Sequence, residues 1–187
     1  MKKLILLTCL VLLAGCAKQP VIANLNVRLG EVSAGIYGAG ASAIIKGQDA
    51  RKSQEVVLYM SDRPATTLAN MSEPVILISE KLAEGLLGQG LLLEPTSPVH
   101  LKFTINELVV GVTRPQTLYN ADAKTYITLT VENRGTVFTK VYKREANQKS
   151  ATRPDLPDLE PMLNSQLSDI IHQILTDEEV RKVIGRR

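Results

Sequence analysis

The chain has 187 residues, enough for a leader and one domain with a single core, and it carries 22 Lys and Arg against 19 Asp and Glu. So small a basic excess argues against a nucleic-acid binder, and the lack of tryptophan, with only 4% aromatic residues, argues against a platform for stacking sugars or bases. The two cysteines are Cys9 and Cys16, so the chain beyond residue 16 has no disulfide, no thiol nucleophile and no cysteine-ligated metal.

Residues 1–15 read as a signal peptide: Met1-Lys2-Lys3 is a positive start, and the apolar run Leu4 to Leu13 is interrupted only by Thr8 and Cys9. A run of roughly ten residues makes about 15 Å of helix, half of the ~30 Å hydrocarbon core, so it does not span a membrane. Leu13-Ala14-Gly15-Cys16 resembles the bacterial lipobox, in which an aliphatic residue and two small ones precede a cysteine. The small side chains let the backbone lie in a peptidase groove, and the thiol is the nucleophile that takes up a diacylglyceryl thioether. By that resemblance the chain is cut between Gly15 and Cys16, and the freed α-amine takes a further acyl chain. Because each buried CH₂ contributes about 0.8 kcal/mol and one myristoyl chain anchors only marginally, two or three chains make the attachment permanent. Ala17 and Lys18 lack the aspartate that in bacterial lipoproteins signals inner-membrane retention. The resemblance therefore implies an outer-membrane lipoprotein facing the periplasm, with no cofactor besides the covalent lipid on Cys16.

Residues 16–40 are expected to form the lipidated cysteine and a flexible Gly/Ala-rich tether, with a coil reach of roughly 27 Å. In a competing reading, the alternation of Leu25, Val27 and Leu29 makes Leu25 to Val32 an edge strand. Gly35-Ile36-Tyr37-Gly38-Ala39-Gly40 is read as loop, since no Gly-Lys-Ser/Thr follows it and no strand-to-helix unit flanks it.

The folded domain is expected to cover residues 41–187. Ala41 to Lys46 and Gln54 to Met60 are apolar enough for two strands. Between them Asp49 and Arg51, two residues apart, make either a turn-locking ion pair or a binding element. Val75, Ile78, Leu82 and Leu86 place one apolar stripe on a helix over residues 73–87, with Ser72 as N-cap, Pro74 in the first turn and Gly88 or Gly90 as stop. Gly85 within it points to close approach of another backbone. A short strand over Leu91 to Leu93 follows. Val99 to Asn106 then alternates strictly, and after Glu107 the apolar parity moves to Leu108, Val110 and Val112, which predicts a β-bulge.

The stretch Gly111 to Asp122 reads as a long loop in which Arg114 and Tyr119 are candidate binding residues. Tyr126 to Val131 and Val137 to Tyr142 form a hairpin about Asn133-Arg134-Gly135-Thr136. The basic stretch that follows, with Lys143 and Arg144, offers either a site for phosphate-rich lipid or cell-wall carboxylates, or a lysine-guarded sheet edge. Asp158, with Pro161 in the first turn, starts a helix carrying Leu163, Leu167, Ile170, Ile171 and Ile174 on one face. Thr176-Asp177-Glu178-Glu179 reads as a capping box for a last short helix ending at Gly185. His100 and His172 fall on polar faces.

This order predicts an α+β domain, a mostly antiparallel sheet with amphipathic helices packed on one face. The lipobox, Ile44 to Arg51, the helix Val75 to Leu87 with its glycine stop, the hairpin Tyr126 to Tyr142 and the ending Thr176 to Ile184 together resemble the YajG-like family of bacterial lipoproteins. That resemblance implies a functionally uncharacterised envelope lipoprotein with no catalytic residues to assign. The leading expectation is a non-enzymatic module that binds an envelope protein or assists envelope assembly. One alternative is a hydrolase acting on cell-wall material. The chain has no Gly-x-Ser-x-Gly and no His-Glu-x-x-His, so a hydrolase would have to draw on acids such as Asp49, Glu107 and Asp122. The other is a lipid or lipopolysaccharide carrier, which needs an apolar cavity between sheet and helices.

Overall fold

Val99–Thr113 is one 15-residue strand, and its path explains most of the domain. Val99, Leu101, Phe103 and Ile105 are buried, as are Leu108, Val110 and Val112. Asn106 is the extra residue of the predicted bulge: Ile105 pairs with Ile127 and Glu107 with Tyr126. One unpaired residue moves the alternation by one place, so the same face stays apolar along the whole strand. In a computed structural model, which describes residues 22–62, 66–71 and 73–186, this strand is β5 of seven. The signal peptide, Gly15 and Cys16 of the lipobox, and the expected cap Ser72 lie outside the described residues.

One edge of β5 pairs antiparallel along its length with β6 (Tyr119–Asn133), which pairs in turn with β7 (Thr136–Ser150). The other edge is shared. β1 (Ser42–Asp49) lies parallel to residues 100–105, and β2 (Glu55–Tyr59) lies parallel to residues 110–112. β3 (Thr66–Asn70) extends β2 antiparallel, and β4 (Leu92–Leu93) extends β1 parallel. The fold is therefore α+β on a mixed, mostly antiparallel sheet. β6 and β7 are far longer than their expected apolar runs and leave only residues 114–118 of the expected loop 111–122. The small residues Ala121 and Ala123 and the buried Thr125 continue the β6 alternation without a strong hydropathy signal. Arg134 (φ 48°) and Gly135 (φ 82°) form the hairpin turn, with the two consecutive left-handed residues that a tight hairpin of this twist requires.

Helix α1 (Pro74–Gly88) packs on β1 with Ile78, Leu82 and Leu86 buried, and Gly90 at φ 90° ends it. Gly85 is needed for a side chain rather than for another backbone: a Cβ there would stand 2.2 Å from Leu175 Cδ1. Helix α2 (Leu156–Thr176) lies against β6 and β7, and α3 (Glu178–Ile184) against β6. Two expected caps shift by a residue or more. Asp155, not Asp158, is the N-cap of α2; Asp158 is its capping-box partner, and Pro161 stands inside the helix. Thr176 bonds back to the His172 carbonyl (2.8 Å), which leaves Asp177 to cap α3 through the Glu179 and Val180 N–H groups.

The expected flexible tether is corrected over its described part. Ala23, Leu25 and Val27 are buried between exposed neighbours, and three backbone N–H groups are met by side chains of α2. Asn24 donates to Glu160 Oε1 (2.8 Å), Asn26 to Asn164 Oδ1 (2.8 Å) and Arg28 to Ser168 Oγ (3.2 Å). Two residues of extended chain advance about 6.6 Å and four residues of helix about 6 Å, so the two repeats stay in step over three contacts. His172, the next residue in that helical series, lies against Gly30. The alternation read as an edge strand is thus genuine, but its partner is a helix.

Candidate functional site

The six binding residues expected from sequence fall in three separate places. Asp49 and Arg51 form a bidentate pair (2.9–3.2 Å), and Arg51 Nη2 also donates to the Met71 carbonyl (3.0 Å). The guanidinium bonded to Asp49 holds its carboxyl below the ordinary carboxylate range against the opposing effect of burial. This pair ties the end of β1 to the chain after β3. Arg114 stacks on the Tyr119 ring (4.8 Å to its centre) and closes the β5–β6 loop. Lys143 covers Tyr126 (5.0 Å), whereas Arg144 reaches Asp169 of α2 (4.0 Å), so these adjacent residues serve opposite faces of β7. The acids of the hydrolase reading do not all converge. Asp122 is opposite Gly111 and held by Asn120 and Asn147, and Gly111 is four residues, or roughly 13 Å, along β5 from Glu107.

The structure instead assembles a cleft of about 520 Å³ from segments far apart in sequence. Residues 36–42 of the Gly-rich loop form one side, with left-handed Gly35 (φ 70°) and Gly40 (φ 79°) setting the loop's path. The Tyr37 N–H donates to the Gln89 carbonyl (3.1 Å), which fixes the loop to the end of α1. Asn133 and Arg134 of the β6–β7 turn form a second side, and Arg181, Ile184, Gly185 and Arg186 a third. Asn133 is buried, and its Nδ2 donates to the carbonyls of Val183 (2.8 Å) and Arg186 (2.9 Å), closing the C-terminal end of α3 onto the sheet.

Those contacts leave Asn133 Oδ1 buried with no partner among the described residues, and the Tyr37 hydroxyl is in the same condition. Burial pushes that hydroxyl up to about 12, despite the opposing positive charge of Arg181. Arg181 Nε donates to the Leu175 carbonyl (3.0 Å) and Arg186 Nη1 to Thr136 Oγ1 (2.9 Å), contacts that orient both guanidinium groups. Among the described residues no Asp or Glu lines the cleft. Three permanent cations, a phenol that stays protonated and an amide acceptor suit binding; none of them is a proton acceptor near neutral pH. The glycines of this loop are legible in the sequence, which carries no phosphate motif there. No spacing rule joins Tyr37 to Asn133, Arg134, Arg181 and Arg186, so the cleft had no signal there.

Among the described residues no helix is long and apolar enough to cross a membrane, and no group of three His, Cys, Asp or Glu is placed to hold a metal. The architecture recurs in a solved structure, which bears on the fold alone. Protein XCC0632 from Xanthomonas campestris has a similar fold at 10% identity, with a TM-score of 0.59 over 88% of this chain and 97% of that one. The family follows from the sequence: the profile of the family described as "Uncharacterized lipoprotein" matches residues 31–185, and the chain belongs to that family. The uncharacterized lipoprotein YajG of Escherichia coli strain K12 is 27% identical over 182 residues, spanning 95% of this chain and 93% of that protein. YajG of Escherichia coli O6:H1 strain CFT073 gives the same figures. The YajG-like resemblance read from the sequence is thereby established.

Proposed function

We propose that the protein is a lipid-anchored outer-membrane lipoprotein that faces the periplasm and binds an envelope protein or assists envelope assembly, without catalysing a reaction. The observation that carries this reading is the short leash between lipid and domain. Packing against α2 begins at Ala23. The roughly seven residues from Cys16 to that point reach at most about 25 Å. A domain held so close to the lipid surface meets partners in or beside the membrane. The perturbed carboxyls support a binding role over a catalytic one: Asp49 is occupied by Arg51, and Asp177 by Lys140, Tyr142 and the α3 cap. His100 and Lys102 of β5 are exposed and available to such a partner.

Radiolabelled palmitate with membrane fractionation tests the anchor. Label in the outer-membrane fraction, absent from Cys16→Ala, is the expected result; an unlabelled, soluble wild type would overturn it. Crosslinking in cells that returned only the bait under several growth conditions would count against the binding role.

A further inference from the structure

We propose that the cleft between the Gly-rich loop, the β6–β7 turn and the end of α3 binds a small phosphate ester bearing free hydroxyl groups. This ligand site goes beyond the anchored binding role and does not depend on it.

Arg134, Arg181 and Arg186 come from a turn, a helix and the segment after it, and line one cleft that no Asp or Glu among the described residues borders. Among the described residues none of the three forms an ion pair. Guanidinium groups present planar forks that match phosphate oxygens two at a time, and a phosphate monoester offers three such oxygens with nearly two charges. Three arginines lining one cleft therefore suit a phosphate better than a single carboxylate. The nearly balanced charge of the whole chain argues against an extended nucleic acid, which calls for a basic stripe and not three arginines at one cleft.

The two orphaned polar atoms specify the rest of the ligand. A buried polar atom without a partner is costly and calls for an explanation. The Tyr37 hydroxyl has a proton to give to a phosphate oxygen, and Asn133 Oδ1 needs a donor, which a ligand hydroxyl supplies. Tyr37 is 8% exposed and Asn133 2%, so neither is satisfied by open solvent. A volume of about 520 Å³ lies within the range of roughly 300 to 1,000 Å³ found for small-molecule sites. Arg134 also holds a left-handed conformation that asparagine or glycine adopts at less cost.

Titration calorimetry on the full-length lipidated chain in detergent tests the site with four probes: glycerol 3-phosphate, glycerophosphoglycerol, inorganic phosphate and glycerol. The expected order places one of the two glycerol phosphates above inorganic phosphate, and glycerol last. Preference for the monoester marks a soluble source and preference for the diester a lipid headgroup; either supports the site. Tyr37→Phe removes only an unpartnered hydroxyl, and Arg134→Asn suits the turn, so both variants should melt no lower than wild type. Each should bind about tenfold more weakly, the loss expected for one hydrogen bond to a charged group. A merely structural role for these residues predicts no such split between melting and binding. Absence of saturable binding by every phosphate probe, or wild-type affinity in both variants, would overturn the proposal.

Discussion

β6 and residues 23–28 share one pattern, buried and exposed residues in alternation, yet they are secured by opposite means. β6 lies between β5 and β7, and its backbone groups are met by other backbones along both edges. The N-terminal segment is held by a helix: its N–H groups at Asn24, Asn26 and Arg28 are met by Glu160, Asn164 and Ser168 of α2. Alternation reports only that every second side chain is buried. What satisfies the backbone is a separate matter, and here a helix substitutes for a strand because the two repeats are close in length.

The difference has consequences for stability that mutation can expose. Leu129→Ala, at a fully buried position of β6, should cost about 3–4 kcal/mol and lower the protection of every amide in the domain, since it strikes the sheet common to all elements. Val27→Ala removes two buried methyl groups from the N-terminal segment and should cost about 2 kcal/mol. That loss should appear in hydrogen exchange chiefly at Asn24, Asn26 and Arg28, because the segment opens locally. Uniform loss of protection in both variants would abolish the distinction.

Asp177 links the two regions, since it ends the helix that carries the N-terminal segment and reaches the sheet edge. Its nearly buried carboxylate accepts from Lys140 Nζ (2.7 Å) and the Tyr142 hydroxyl (2.9 Å) while capping α3. Burial raises its pKa, but the Lys140 and Tyr142 contacts and the two N–H groups outweigh it and hold the carboxyl below its ordinary value. A depressed folded pKa contributes stability that is present above the unfolded value and lost as pH falls through the folded one. Asp177→Ala should therefore cost about 2 kcal/mol at neutral pH. Asp177→Asn keeps the cap without the charge, so its unfolding free energy should fall less steeply in acid than that of wild type. Parallel acid limbs in the two proteins would refute the assignment.

The smallest expected effect is the most specific. Asn164→Ala removes one acceptor and should cost about 1 kcal/mol, with faster exchange at the Asn26 amide before any other. Asn164→Asp, which keeps an acceptor oxygen, should restore that protection. Equal exchange at Asn26 in both variants would show that the side-chain ladder does not hold the segment.

Parts of the fold were legible wherever a few neighbouring residues decide the outcome. The bulge in β5 followed from the parity change at Leu108, the hairpin from Asn133 to Thr136, and α1 from its stripe and Pro74. Elements whose signal is weak were shortened or missed. β3 has no clear signal in the sequence, and the apolar run of β6 is shorter than the strand because Ala121, Ala123 and Thr125 carry little hydropathy. Caps were misplaced because Asp155 and Asp158, or Thr176 and Asp177, compete for adjacent positions, and geometry chooses between them. The sequence-derived binding candidates were polar residues notable along the chain, and most of them bond within their own neighbourhood, as Asp49 does with Arg51 and Arg114 with Tyr119.

The sequence by itself determined the α+β order of elements and the alternation of residues 23–28, because both depend on chemistry within about ten residues. Only the tertiary structure decided that this alternation faces a helix. It alone brought Tyr37, Asn133, Arg134, Arg181 and Arg186 around one cleft. The physical reason is the same for both: the contacts join segments 50 or more positions apart, and burial of the shared core, not any local preference, sets which of them meet.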